Sequence, residues 1–96
     1  MTINNLSEAA YHCAIKRKKI KHGTPAVTCE KAIQAELDEL KEALHNVKSE
    51  HVPTITSYEE ELADVIITCL STAYHLGFDI ERIIEEKMKF NEKRKK

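Results

Sequence analysis

Two pairs of acidic residues are the side chains of this sequence with the clearest capacity for chemistry. Glu36 and Glu39 form the first pair, and Glu61 and Asp64 form the second. Residues three positions apart are neighbours on a helix, with their Cβ atoms about 5–6 Å apart. If both stretches are helical and the helices face each other, four carboxylates converge on one small volume.

Converging carboxylates repel one another strongly enough to need a partner. Two unit charges about 4 Å apart repel by roughly 4 kcal/mol at an effective dielectric constant near 20. Four carboxylates would therefore take up protons or recruit a cation. Oxygen ligands without histidine or cysteine favour Mg²⁺, Mn²⁺ or Ca²⁺ over zinc, and the absence of a Glu-x-x-His motif argues against a di-iron bundle. The two acidic pairs are therefore the predicted ligands of a hard divalent cation.

Three further polar side chains fall on the apolar face of the last predicted helix: Lys87, Asn91 and Arg94. All three lie within roughly 40° of Ile80 on a helical wheel, on the face that Ile84 also occupies. A single cation could extend from such a face to water, but three polar groups in register indicate a face that meets something polar. A partly hydrated Mg²⁺ ion opposite them would suit a substrate with phosphate oxygens. The alternative is a frayed, solvated helix end.

Four predicted helices must position these side chains. Apolar residues recur at helical spacing over about residues 6–21, 25–47 and 58–76, and over the stretch that follows Asp79. No stretch alternates with the period of a β-strand, so we predict an all-α fold with four helices in a bundle. The third and fourth helices are expected to form a hairpin because the link between them is very short.

Local sequence signals predict where these helices begin and end. Asn5 with Glu8, and Ser57 with Glu60, have the spacing of a capping box at the starts of the first and third helices. Gly77 is expected to end the third helix, because glycine readily adopts the left-handed conformation found at helix ends. Asp79 is expected to cap the fourth helix.

The helical wheel separates the acids that face apolar surroundings from those that face solvent. In the second helix, apolar residues flank Glu36 on both sides and Glu39 lies at the edge of that face. Asp38 and Glu42 point to the opposite side. The third helix is apolar around most of its circumference and leaves one narrow strip of polar residues, here called the polar lane. The polar lane consists of Glu61, Asp64, Thr68, Ser71, Thr72 and His75.

Other charged residues have simpler explanations. Glu59 and Glu60 lie outside the polar lane at the start of the third helix, where the helix dipole stabilises acids. His75 is expected to be a hydrogen-bonded residue of the polar lane rather than a catalytic base. The basic segment 16–22 (KRKKIKH) is expected to be a solvated helix end, with phosphate binding as the alternative.

Length and composition fit one globular domain spanning residues 1–96. The chain has 42% hydrophobic and 32% charged residues and a formal net charge of −1, which gives no general attraction to nucleic acid or an acidic membrane. Its 3 scattered cysteines favour neither a disulfide framework nor a zinc site. The sequence shows no secretory signal and no apolar run long enough to span a bilayer, so a cytoplasmic location is predicted.

The acidic pairs and the end of the chain together resemble a known family. The matching stretches are AELDELKEAL (35–44), EEELADVIITCL (59–70) and LGFDIERIIEEKMKFNEKR (76–94). They resemble the MazG-like nucleotide pyrophosphohydrolases of the all-α nucleoside triphosphate pyrophosphatase superfamily. That family's pattern is Glu-x-x-Glu, a gap of variable length, Glu-x-x-Asp, a short hairpin with Gly and Asp, and then Lys and Asn near the end of the last helix.

The resemblance implies an activity, a cofactor and a set of site residues. It implies Mg²⁺-dependent hydrolysis of a nucleoside triphosphate, often a non-standard or deoxy one, to the monophosphate and pyrophosphate, with Mn²⁺ as an alternative ion. The positions that match the family's catalytic metal ligands are Glu36, Glu39, Glu61 and Asp64. Lys87 and Asn91 match contacts to phosphate, and Arg94 matches less directly. The family forms homodimers or homotetramers, which fits a third helix too apolar for a lone bundle to cover.

Two other interpretations stay open at this point. Phosphoribosyl-ATP pyrophosphohydrolase of histidine biosynthesis shares the superfamily and would use the same acids. A non-catalytic helical module, such as a partner or regulatory subunit, could keep the fold without the reaction, although retention of all four acidic residues counts against it.

Overall fold

The computed structural model describes residues 1–94, which form four α-helices and no β-strand. The helices are α1 (Ile3–Lys16), α2 (Ala26–Glu42), α3 (Ser57–His75) and α4 (Ile80–Lys93). The predicted all-α class is therefore confirmed. None of the helices within residues 1–94 has both the length and the hydropathy needed to cross a bilayer.

Helix α3 is the centre of the fold. It packs against α1 on one side and α2 on another, whereas α1 and α2 do not pack against each other within the described part of the chain. An open cleft therefore separates α1 from α2, with α3 as its floor. The Ser7 hydroxyl is buried and fixes α1 on α3 by donating to the Leu70 carbonyl at 2.6 Å.

The predicted caps of α1 and α3 were each wrong in position. The cap of α1 is Thr2 with Asn5, and the cap of α3 is Thr56 with Glu59. Each threonine has an extended backbone and accepts the amide of the residue three positions on, which is the geometry that a capping box requires. Ser57, the predicted cap, is instead the first residue of α3.

The two predictions at the α3–α4 junction are confirmed. Gly77 follows α3 with a φ of 79°, a left-handed conformation that glycine adopts without steric cost. Asp79 caps α4 by accepting the Arg82 amide at 3.2 Å. The expected hairpin is loose, however, because α4 buries no residue and contacts α1 more than α3. Asn4 draws α4 to the start of α1 by donating to Asp79 at 2.8 Å.

Helix α1 ends earlier than predicted because the chain turns sharply at Lys18. The Lys18 amide donates to the Ile15 carbonyl at 3.0 Å, and the Lys19 amide donates to the Ala14 carbonyl at 2.9 Å. These two bonds form a Schellman motif. Lys18 has a φ of 60°, where glycine is the usual residue, so this turn carries some backbone strain.

Helix α2 ends at Glu42 rather than continuing to Val47. Ala43 is extended, and the residues after it pair with the start of α3 instead of extending the helix. The Ser57 amide donates to the Val47 carbonyl at 2.7 Å, and the Tyr58 amide donates to the Leu44 carbonyl at 3.3 Å. The α2–α3 loop, residues 43–56, is thereby held beside α3.

The single chain is open and has little core. Only Tyr11, Cys29 and Ala73 are buried hydrophobic residues within residues 1–94. The accessible surface is 7554 Å², against about 5,600 Å² for a folded monomer of this mass. The radius of gyration is 14.9 Å, against about 12.5 Å for a compact chain of this length.

Candidate functional site

The packing of α2 against α3 brings the two predicted acidic pairs together. Carboxylate oxygens of Glu36, Glu39 and Glu61 all lie within 4.8 Å of one another. Those of Glu60, Glu61 and Asp64 form a second group with the same spacing. Because Glu61 belongs to both groups, the acids form one continuous cluster, here called the acidic cluster. Oxygen-only donor sets of this kind suit hard divalent cations.

Two oxygens of the acidic cluster lack the partners that buried polar atoms normally have. Glu36 Oε2 and Glu61 Oε2 are inaccessible to solvent and accept no hydrogen bond from any group in residues 1–94. A buried carboxylate oxygen without a donor is costly because it has lost its hydration. A cation bound between α2 and α3 would remove that cost, so the residues present fit a divalent metal ion.

The surroundings of the acidic cluster disfavour its negative charge. Burial, followed by the neighbouring carboxylates of Glu39 and Asp64, raises the pKa of Glu36 and also the pKa of Glu61. Burial, followed by Glu60, raises the pKa of Asp64. Lys19 opposes these effects at Glu36 and Asp64. These directions agree with the crowding expected when carboxylates converge.

The raised pKa of Glu61 predicts a pH-dependent difference between the metal-free protein and Glu61→Gln. A carboxyl whose pKa is higher in the folded state stabilises that state at low pH and loses this stabilisation as pH rises through the folded pKa. From pH 4.5, the ordinary value for glutamate, up to pH 7, the wild type should therefore lose stability relative to Glu61→Gln. Urea denaturation with a chelator at several pH values measures the difference. A difference that stays constant would contradict the raised pKa.

The polar lane of α3 forms the floor of the cleft between α1 and α2, as its composition suggested. The cleft has a volume of ≈ 730 Å³, which is within the usual range for small-molecule sites. Five of the six polar-lane residues line it: Glu61, Asp64, Thr68, Ser71 and Thr72. The sixth, His75, bonds through Nε2 to the Thr24 carbonyl at 2.7 Å. His75 is therefore hydrogen-bonded to the α1–α2 turn (residues 17–25), in agreement with the expected hydrogen-bonded role.

The polar residues of α4 lie away from the cleft in a single chain. Lys87, Asn91 and Arg94 are exposed and are not among the residues that line the cleft. Lys87 Nζ lies 4.6 Å from the centre of the Phe90 ring, and Arg94 donates to Asn91 at 3.4 Å. Their contact with phosphate stays a prediction, and within one chain they do not line the cleft that contains the acidic cluster.

Sequence reasoning missed the part that Glu60 plays at this site. Glu60 was assigned to a capping box with Ser57 and to the helix dipole, but it lines the cleft and belongs to the acidic cluster. The buried Ser49 hydroxyl donates to Glu60 Oε1, and His51 Nδ1 lies 3.1 Å from Glu60 Oε2. The bond from Ser49 lowers the pKa of Glu60, and His51 acts in the same direction. Glu60 stands four residues before Asp64 in α3, so the two side chains share one side of the helix.

Replacing Ser49 by alanine is expected to loosen the α2–α3 loop. The Ser49 hydroxyl accepts the amides of His51 at 3.1 Å and Val52 at 3.0 Å, so the change leaves two backbone donors without their partner. We expect a destabilisation of about 1–3 kcal/mol, measured by urea denaturation. Thr54→Ala, an exposed position of the same loop, is the control and should change stability little. Equal effects of the two changes would contradict an anchoring role for Ser49.

The sequence also left open whether the basic segment 16–22 is a solvated helix end or a phosphate-binding segment. Arg17 and Lys19, from the basic segment 16–22, line the cleft together with Glu36, Glu61 and Asp64. Arg17 and Lys19 form no ion pair with a carboxylate within residues 1–94. Part of the segment that was expected to be a solvated helix end therefore lines the cleft.

Comparison with known proteins gives one match. A sequence model of the MazG-like family matches residues 30–96. The matched region contains the whole acidic cluster and α4, whereas α1 and the basic segment lie outside it. No curated protein and no solved structure matches the chain.

Proposed function

The chain belongs to the MazG-like family, and from this premise we propose that it hydrolyses a nucleoside triphosphate to the monophosphate and pyrophosphate with Mg²⁺. The observation that supports the proposal most strongly is the acidic cluster, which contains two buried carboxylate oxygens without a hydrogen-bond donor among residues 1–94. The cluster lies in a cleft large enough for a nucleotide.

The residues of the acidic cluster can supply the metal site that this reaction needs. Glu36, Glu39, Glu61 and Asp64 would hold the ion, which would neutralise phosphate charge and lower the pKa of a water molecule.

A panel of ribo- and deoxynucleoside triphosphates, incubated with the protein and Mg²⁺ or Mn²⁺, tests the proposal. We expect release of pyrophosphate from at least one member, and loss of that activity when a chelator is present. Asp38→Asn is the control, because Asp38 is an exposed acid of α2 that does not line the cleft. Primary release of orthophosphate would contradict the cleavage position. Absence of turnover for every nucleotide would favour a non-catalytic helical module.

We further propose that two or more copies of the chain assemble, as a homodimer or a homotetramer. Leu62, Ile66 and Cys69 form a stripe on α3 at spacings of four and three. Leu62 is 42% exposed and Ile66 is 52% exposed in the single chain. The surface in excess of a compact monomer is about 1,900 Å², which is enough for an interface of standard size. A second copy would cover this stripe.

A further inference from the structure

We propose that Arg17 and Lys19 bind the phosphate chain of the ligand whose metal ion the acidic cluster holds. This inference rests on the proposed function, because it assigns the phosphate-binding side of the same cleft. It concerns the α1–α2 turn, a part of the chain outside the family match. The family resemblance had assigned phosphate contacts to α4 alone.

The first step of the argument is position. Arg17 and Lys19 line the cleft from the end of α1, while Glu36, Glu61 and Asp64 line it from α2 and α3. The cleft therefore has cationic side chains on its α1 side and carboxylates on its α2 wall and its α3 floor. A phosphate chain bound with a divalent ion needs both, because the ion neutralises only part of its charge and guanidinium or ammonium groups take the rest.

The second step is that these cations remain available. Neither Arg17 nor Lys19 is paired with a carboxylate within residues 1–94. Both cations therefore line the same cleft as the acidic cluster without forming an ion pair with it.

The third step is that the turn is held in place at both ends. The Schellman motif at Lys18 fixes the residues on either side of it, and the strain of its left-handed φ is typical of functional turns. At the other end, His75 bonds to the Thr24 carbonyl at 2.7 Å. A turn tied to α1 and to α3 holds the backbone that carries Arg17 and Lys19 beside the cleft.

Calorimetric titration of the full chain with inorganic triphosphate, in the presence of Mg²⁺, tests the inference without any choice of base. The test variant is Arg17→Ala/Lys19→Ala. The control is Lys16→Ala/Lys21→Ala, which removes the same charge from exposed residues of the same segment that do not line the cleft. We expect the test variant to bind triphosphate about 100-fold more weakly than wild type, and the control to bind within about threefold.

A second titration with Mg²⁺ alone separates phosphate binding from a structural role. Removing nearby positive charge should leave Mg²⁺ affinity unchanged or raise it, because the cations oppose a cation at the acidic cluster. Loss of Mg²⁺ binding in the test variant would show that Arg17 and Lys19 only support the fold, and would overturn the inference. Equal weakening in test and control, or no binding of triphosphate to wild type, would overturn it as well.

These measurements distinguish failure of the phosphate site from failure of the proposed reaction. If wild type binds triphosphate through these residues but hydrolyses no nucleotide, the proposed reaction fails and the phosphate site stands. If nucleotides are hydrolysed and the test variant keeps the wild-type KM and kcat, the phosphate site fails and the reaction stands.

Discussion

Glu61→Gln is expected to abolish Mg²⁺ binding and to lower nucleotide hydrolysis by at least about a hundredfold, because even loss of a residue that only supports a metal ligand costs 10–100-fold. Glu61 belongs to both groups of carboxylates that make up the acidic cluster. Its Oε2 is one of the two buried oxygens that lack a donor within residues 1–94. Glutamine keeps the shape of the side chain but removes the charge that a divalent ion needs. Calorimetric titration with Mg²⁺ and a pyrophosphate-release assay measure the two losses.

The fold of Glu61→Gln should persist. Without metal, the change relieves repulsion inside the acidic cluster, so the thermal midpoint should hold or rise near neutral pH. The matched control is again Asp38→Asn on α2. Near wild-type turnover in Glu61→Gln would remove the assignment of the metal site, and a large fall in its thermal midpoint would contradict the crowding of the carboxylates.

Ile66→Glu is expected to convert the assembled protein to monomers and to lower its thermal midpoint strongly. Ile66 lies in the middle of the exposed α3 stripe, so glutamate there would place a charge inside the proposed contact between copies. Burial of an unpaired charge at an interface is among the most destabilising changes known. The single chain has too little core to compensate, with only three buried hydrophobic residues among residues 1–94.

Sedimentation velocity at several protein concentrations, together with thermal denaturation, measures both effects. Thr54→Glu is the control, because it adds the same charge at an exposed position of the α2–α3 loop. An unchanged oligomeric state in Ile66→Glu would exclude the α3 stripe as the contact. A wild type that is monomeric at all concentrations would contradict assembly itself.

The helices and the meeting of the acids could be predicted from the sequence because both depend on local periodicity. An i, i+3 pair such as Glu36 and Glu39 shares a face in any helix. The apolar residues around the rest of α3 leave few choices for where Glu61 and Asp64 can point. The end of α3 at Gly77 and the cap of α4 at Asp79 could also be predicted from the sequence, because local backbone conformation selects these residue types.

Features that depend on contacts between distant parts of the chain could not be predicted from the sequence. Threonine and serine are both good caps, so the choice of Thr56 over Ser57 depended on the pairing of the α2–α3 loop with α3. The early end of α1 needed a left-handed Lys18, which the residue type disfavours. The helical wheel predicted the face of α4 that carries Lys87, but Lys87 does not line the cleft of a single chain. This is because α4 packs sparsely against the other helices.

The separation of α1 from α2 has a consequence for how the protein should respond to its ligand. Within residues 1–94, no direct packing fixes the distance between these two helices. A phosphate chain that contacted both the α1–α2 turn and the acidic cluster would bridge them. Binding would then also restrict the motion of α1 relative to α2. Amide hydrogen exchange along α1 should slow when ligand and Mg²⁺ are both present, and it should slow much less with either one alone.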